Sequence, residues 1–263
     1  MSDRRNYGLV TAAYWTQTIT DGAIRMLVLF YFDQLGYTPF QVASLFLFYE
    51  FFGIVTNLVG GWLAARLGLR ATLVIGLGFQ LIALLMLGVV PASWLVVPYV
   101  MVSQALSGIA KDLTKMSSKS AVKLVAGEGE GQLYRWVSLL TGSKNALKGV
   151  GFFFGAMLLT LVGFQTGVLI LFAMIALALV LTVPFMHGSL GTADAKAKFR
   201  GMFSHNRAVN VLAAARIFLF ASRDVWFVVG LPVYLRSVLG WSFYATGGFL
   251  AAWVIGYGIV QAS

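Results

Sequence analysis

The chain has 263 residues, of which 59% are hydrophobic and only 11% charged, with 19 Lys and Arg against 9 Asp and Glu. A soluble domain carries about 25% charged residues, so a mean hydropathy of +0.85 excludes that class. The formal net charge of +10 and the absence of cysteine leave no disulfide and no thiolate metal site to consider.

Eight apolar stretches meet the requirement of about 20 residues for a membrane-spanning helix. They run approximately over 8–33, 39–65, 71–90, 94–113, 135–162, 164–186, 207–235 and 242–263. The first follows Arg4 and Arg5 but is interrupted by Asp21 and Arg25 and lacks a small-residue cleavage site, so it reads as a retained helix, not a signal peptide. Gly36-Tyr37-Thr38 joins the first two stretches, with Thr38-Pro39 as a cap followed by proline at the first helical position. The third and sixth are almost purely apolar, with Gln80 and Gln165 as their few polar members, as lipid contact demands. Gly163-Phe164 separates the fifth and sixth, a polar loop over 187–206 carries both histidines, His187 and His205, and Trp241-Ser242 opens the eighth.

Lysine and arginine set the orientation. The amino terminus and the even-numbered connections hold Arg4, Arg5, Arg66, Arg70, Lys119, Lys123, Arg135, Lys196, Lys198, Arg200 and Arg207, whereas the opposite side holds Arg236. The amino terminus and the 187–206 loop are therefore expected on the cytoplasmic side. Clustered at helix ends, the excess cations read as a topology signal, and no nucleic-acid partner is expected.

The first two stretches recur as the seventh and eighth. Asp21, Gly36, Tyr37 and Gly53-Ile54-Val55 find counterparts in Asp224, Gly240, Trp241 and Gly258-Ile259-Val260, at an offset of about 204 residues. A six-helix unit duplicated in parallel across a cytoplasmic loop is the plan of major facilitator transporters. On that plan residues 1–186 form an amino-terminal six-helix bundle, 187–206 the inter-domain loop, and 207–263 the first two helices of a second bundle. The offset extends to a full protein of about 400 residues, which leaves about four helices outside this sequence.

Charges inside the apolar stretches mark the candidate site, because a charge near the bilayer centre costs about 2.5–3.5 kcal/mol on insertion scales and almost always faces a bundle interior or a hydrated path. Tyr14, Thr18, Asp21 and Arg25 share one helical face, as do Gln104, Gly108, Lys111 and Lys115, and Thr141, Lys144 and Lys148 continue into Gly151 and Gly155. Arg216 and Arg223 lie seven residues apart. Arg25, Lys144, Lys148, Arg216 and Arg223 are expected to bind an anion near the midplane. Lys111 and Lys115 either receive it from the cytoplasm or snorkel to the surface. Asp21 and Glu50 fall at similar depth on neighbouring helices, where either pairs with Arg25 or, like Asp224, carries coupling. Gly151 and Gly155, with the glycines at 53, 60 and 61, permit close helix approach. No Gly-x-x-x-x-Gly-Lys-Ser/Thr phosphate loop occurs, so an ion gradient is the expected energy source. With no histidine inside an apolar stretch, neither a catalytic constellation, nor a metal site, nor a cofactor is expected.

The segment Gly61-Trp62-Leu63-Ala64-Ala65-Arg66-Leu67-Gly68-Leu69-Arg70 resembles the cytoplasmic signature of the major facilitator superfamily, Gly-x-Leu-Ala-Asp-Arg-x-Gly-Arg-Arg. Gly61, Arg66, Gly68 and Arg70 match as a gating loop, whereas Ala65 replaces the acidic residue and Leu69 a basic one. Longer strings, among them TDGAIRMLVLFYF at 20–32 and QALSGIAKDLTKMSSKS at 104–120, look like the ArsJ family of organoarsenical efflux permeases. That resemblance implies an all-α, polytopic protein of the bacterial inner membrane, a monomer in the bilayer, exporting 1-arseno-3-phosphoglycerate. It also implies a functional link to the glyceraldehyde-3-phosphate dehydrogenase that makes this compound. The cationic stripes alone fit other organic phosphates, such as a sugar phosphate or glycerol phosphate, equally well.

Overall fold

The computed structural model describes residues 2–122, 132–186 and 206–262. The inter-domain loop expected over 187–206, with His187 and His205, lies outside the described residues except for Asn206. The side chains of Arg216, Arg223 and Asp224 lie outside them as well.

The described residues are helical almost throughout. In chain order the α-helices are α1 (Ser2–Gln34), α2 (Pro39–Ser44), α3 (Leu47–Gly88), α4 (Val97–Ala121), α5 (Gln132–Val162), α6 (Phe164–Phe185), α7 (Arg207–Asp224), α8 (Leu231–Ser237) and α9 (Phe243–Ala262). A 3-10 turn at Ala92–Trp94 precedes α4, and a π-helical stretch at Val225–Gly230 joins α7 to α8. The helices at 39–88, 134–162, 164–185 and 243–261 are long and apolar enough to cross a membrane, the first of them twice once its bend is counted. α1 and α4 have the length but carry the intramembrane charges, which lowers their hydropathy without shortening them.

The bend in α3 differs from the loop expected between the second and third stretches. Gly68 alone leaves the helical region, at φ 79° and ψ 161°, a conformation that a β-carbon disfavours. Contacts with α4 show that the chain reverses there. Before the bend, Gly53 lies against Asp112 and Gly60 against Met116, so that arm runs parallel to α4. After it, the Ser117 hydroxyl donates to the Leu69 carbonyl at 2.7 Å, Ser107 to Gln80 at 2.9 Å and Ser103 to the Ala83 carbonyl at 2.9 Å, so the second arm runs antiparallel. The second glycine of the signature is thus the reversal itself. Around it, the Arg66 guanidinium lies 4.9 Å from the Trp62 ring centroid, and Arg70 donates to the Val183 carbonyl of α6 at 2.9 Å. A β-carbon at Gly61 would meet open space.

α1 is the hub, packing against α4, α5 and α6. Its contact with α5 is backbone to backbone: a β-carbon at Gly151 or Gly155 would run into the Ile19 or Ala23 carbonyl oxygen. α5 meets α9 in the same way, since a β-carbon on Gly149 would lie 2.8 Å from the Ala251 carbonyl oxygen and one on Gly258 2.7 Å from the Ala146 nitrogen. Small residues let helix backbones approach where lipid supplies no hydrophobic drive for association. Large apolar side chains on the outer faces, including Leu177, Val180 and Leu181 of α6 and Ile82 and Leu85 of α3, are exposed.

The repeat is visible in the backbone. Gly36 and Gly240 both take positive φ, at 81° and 66°. The Thr38 hydroxyl accepts from the Gln41 amide at 3.3 Å, and the Ser242 hydroxyl from the Ala245 amide at 3.1 Å. Next to these two turns Arg236 ties the units together. It lies 3.6 Å from the Asp33 carboxylate of α1, donates to the Trp241 carbonyl at 2.7 Å, and sits 3.8 Å from the Phe243 ring centroid.

The backbone contact of α1 with α5 predicts that Gly155→Leu destabilises the protein by about 1–3 kcal/mol, the range for overpacking. Gly78→Ala, where a β-carbon meets nothing within 4 Å, should be neutral. Thermal unfolding of the two variants in detergent separates these outcomes.

Candidate functional site

Four helices bring their charges to one intramembrane region. From α1, the Arg25 guanidinium forms an ion pair with Glu50 of α3. Arg25 is 1% exposed and Glu50 32%, so this pair runs from the packed interior to an open space. The Asp21 carboxylate, one turn before Arg25, accepts from the Tyr49 hydroxyl of α3 and lies 3.5 Å from the Lys148 ammonium of α5.

Tyr49 is the centre of this arrangement. Its ring centroid is 4.1 Å from the Arg25 guanidinium carbon and 4.1 Å from the Lys111 ammonium. Two cations on different helices therefore share one aromatic residue, each gaining the attraction of the ring quadrupole. Gly108 permits the placement, because any β-carbon there would collide with the Tyr49 backbone.

On α4, Asp112 holds Lys111 at 3.9 Å through one carboxylate oxygen and forms an ion pair with Lys115 through the other. Lys115 also donates to the Asn57 side-chain carbonyl of α3 at 2.7 Å. Gly53 makes room for the carboxylate, since a β-carbon there would sit 3.0 Å from an Asp112 oxygen. Both lysines are anchored to a carboxylate that is 1% exposed.

Lys144 stands apart. It lies one helical turn from Lys148 on α5 and is partly buried. Among the described residues no carboxylate comes within ion-pair distance of it. The charged groups that weigh most on it, Lys148, Lys115, Lys111 and Lys119, are positive. The described cluster thus holds five cations, Arg25, Lys111, Lys115, Lys144 and Lys148, against three carboxylates, Asp21, Glu50 and Asp112.

Of the binding residues expected from sequence, the structure brings together Arg25, Lys111, Lys115, Lys144 and Lys148, with Asp21 and Glu50 beside them. Gly61 and Arg66 lie before the α3 reversal, Gly68 at it and Arg70 after it, where Arg70 reaches α6.

The family model of the Major Facilitator Superfamily matches residues 10–262. The chain belongs to this superfamily. Among solved structures, a POT family transporter in complex with a thioalcohol-conjugated peptide is similar over 90% of this chain and 51% of its own, with a TM-score of 0.62 and 18% identity. Another, in complex with 5-aminolevulinic acid, is 17% identical with a TM-score of 0.61, covering 83% of this chain and 46% of its own. A peptide transporter POT in complex with sulfate is 18% identical with a TM-score of 0.58, covering 92% and 48%. At these identities the likeness establishes the facilitator fold, and the chain spans about half the length of the structures it matches. No curated protein matches it.

Three residues of this facilitator cluster escaped the sequence reading. Asp112 was hidden within a row of lysines, although its spacing to Lys115 suits an i, i+3 ion pair. Tyr49 carries no charge, and Asn57 bears no motif; only proximity in the folded bundle singles them out.

Removing Asp112 takes the carboxylate from two lysines at once, whereas removing Glu50 affects a pair that is partly exposed. Asp112→Asn is therefore expected to destabilise the protein by about 3–5 kcal/mol, the range for breaking a buried pair, and Glu50→Gln by distinctly less. Unfolding midpoints in detergent check the order, and adding Lys115→Met to Asp112→Asn should recover part of the loss.

Proposed function

We propose that this facilitator exports an organic oxyanion, 1-arseno-3-phosphoglycerate, and thereby confers arsenate resistance. The observation that carries the anionic substrate is the excess of basic over acidic side chains in the cluster, with Lys144, one turn from Lys148 on α5, partly buried and without a carboxylate partner among the described residues. An anion entering there would relieve like-charge repulsion and gain charge-assisted hydrogen bonds, which are roughly twice as strong as neutral ones. A compound with a phosphate and an arsenate group presents two tetrahedral oxyanions to a cluster with an excess of cations. The resemblance to organoarsenical efflux permeases supplies the specific compound.

In this reading Arg25, Lys111, Lys115, Lys144 and Lys148 bind the anionic groups, together with Arg216 and Arg223 of α7. Asp21, Glu50 and Asp224 serve charge pairing or coupling, and the loop of Gly61, Arg66, Gly68 and Arg70 gates the cytoplasmic side. The protein works as a monomer in the bacterial inner membrane with its amino terminus in the cytoplasm. It is supplied by a glyceraldehyde-3-phosphate dehydrogenase acting on arsenate, and two six-helix units rock to give alternating access.

Cells that express the protein together with that dehydrogenase should export arsenic when given arsenate. Lys144→Gln should weaken transport by about 10–100-fold in apparent affinity, as expected for losing hydrogen bonds to a charged group. Lys144→Arg should retain most of it. Unchanged arsenic efflux in Lys144→Gln, or export of glycerol phosphate in preference to the arsenical, would overturn this assignment.

A further inference from the structure

Polar side chains buried in a membrane bundle are costly unless they find partners. Gln104 of α4 is fully buried, and neither its amide nitrogen nor its carbonyl oxygen has a hydrogen-bond partner. It is the one side-chain amide among the described residues whose nitrogen and oxygen are both buried and unsatisfied. A site lacking both at once calls for a group that both donates and accepts.

The position of Gln104 relates it to the cationic cluster. It shares a face of α4 with Lys111, two turns away, and Lys115 one turn beyond. Gly108, between Gln104 and Asp112, lies against the Tyr49 backbone. Because this arm of α3 runs parallel to α4, one turn before Gly108 brings Gln104 to the level of Phe46. The Phe46 ring centroid is 5.6 Å from the Arg25 guanidinium. The register with α1 agrees. The Gln17 amide donates to Gln80 at 2.9 Å, and Ser107 donates to the same oxygen at 2.9 Å. One turn outward from Gln17 is Asp21, and one turn outward from Ser107 is Gln104. The orphaned amide therefore lies at about the depth of Asp21, on the face of α4 that carries Lys111 and Lys115.

We infer that Gln104 recognises a hydroxyl group on the uncharged part of the bound anion, making the substrate class a hydroxylated phosphate or arsenate ester or anhydride. This rests on the proposed anion site. The hydroxyl donates to the amide oxygen and accepts from the amide nitrogen, while the cations hold the oxyanion. An aliphatic phosphate lacking hydroxyls fills the same space but leaves the amide unsatisfied. Sites built to hydrogen-bond a substrate hydroxyl reject analogues without it far better than apolar pockets reject an added one.

The test compares binding of sn-glycerol 3-phosphate, propyl phosphate and inorganic phosphate to the purified full chain in detergent. The wild-type protein should bind glycerol 3-phosphate about tenfold more tightly than propyl phosphate, the scale of one or two net hydrogen bonds. Gln104→Leu should bring that ratio to about one while leaving the affinities for propyl phosphate and inorganic phosphate unchanged. Gln104→Asn, which keeps an amide but draws it back by one methylene, should also shrink the ratio, and serves if the leucine variant does not fold. A ratio that survives either substitution overturns the role of Gln104 and assigns its partner to a structural water. A wild-type ratio of one likewise overturns it while leaving the anion site standing. Failure of the wild type to bind any of the three phosphates overturns both.

Discussion

Ion pairing in a low-dielectric bundle governs this protein. Arg25, Lys111, Lys115 and Lys148 are each held by a carboxylate or an aromatic face, because an isolated charge at this depth would be expelled or neutralised. Three carboxylates are fewer than the cations they serve, and Asp112 answers for two lysines at once. The pairing stabilises the empty protein and still leaves basic side chains in excess of carboxylates. A fully paired cluster would be inert toward an anion, and an unpaired one would not fold into the membrane.

The glycines make that arrangement possible. α1 carries Asp21 and Arg25, but these reach Lys148 and Glu50 because Gly151 and Gly155 let α5 lie against the α1 backbone. Gly108 and Gly53 do the same for α3 and α4, one admitting the Tyr49 backbone and the other the Asp112 carboxylate. Packing and electrostatics are thus a single constraint. A side chain added to the helix contact would move a cation away from its partner, at a distance from the site itself.

The helical class, several helix ends and the turns of the repeat were legible in the sequence because each rests on local chemistry: apolar length, the Thr38 cap with Pro39 behind it, and glycines at 36, 163 and 240 that adopt positive φ. The charged stripes were legible for the same reason, since 3.6-residue spacing fixes which side chains share a face. Partner choice was not. Asp21 and Glu50 were equivalent candidates for Arg25, and the bundle gives Arg25 to Glu50 and sends Asp21 to Tyr49 and Lys148. That decision depends on helix rotation and register, which no single segment encodes. Gln80 shows the opposite limit. On an otherwise apolar stretch it gave no sign of lying inside, yet it joins Gln17 of α1 to Ser107 of α4.

Carboxylate-held cations also bear on how such a site could work. Stripping a paired cation such as Arg25 or Lys148 of its carboxylate inside a membrane costs several kcal/mol, which would be added to the barrier on each cycle. Exchanging one oxyanion for another avoids it: the cation keeps an anionic neighbour throughout, and only the identity of that neighbour changes. On the proposed reading, substrate phosphate or arsenate oxygens replace Glu50 or Asp21 around Arg25 and Lys148, and the released carboxylate turns toward the open space that Glu50 already reaches. Because those carboxylates belong to α1 and α3 while Lys144 and Lys148 belong to α5, each exchange also changes which helices are tied together. Substrate binding and helix movement then become the same event, which is what alternating access requires of a site that lies between helices.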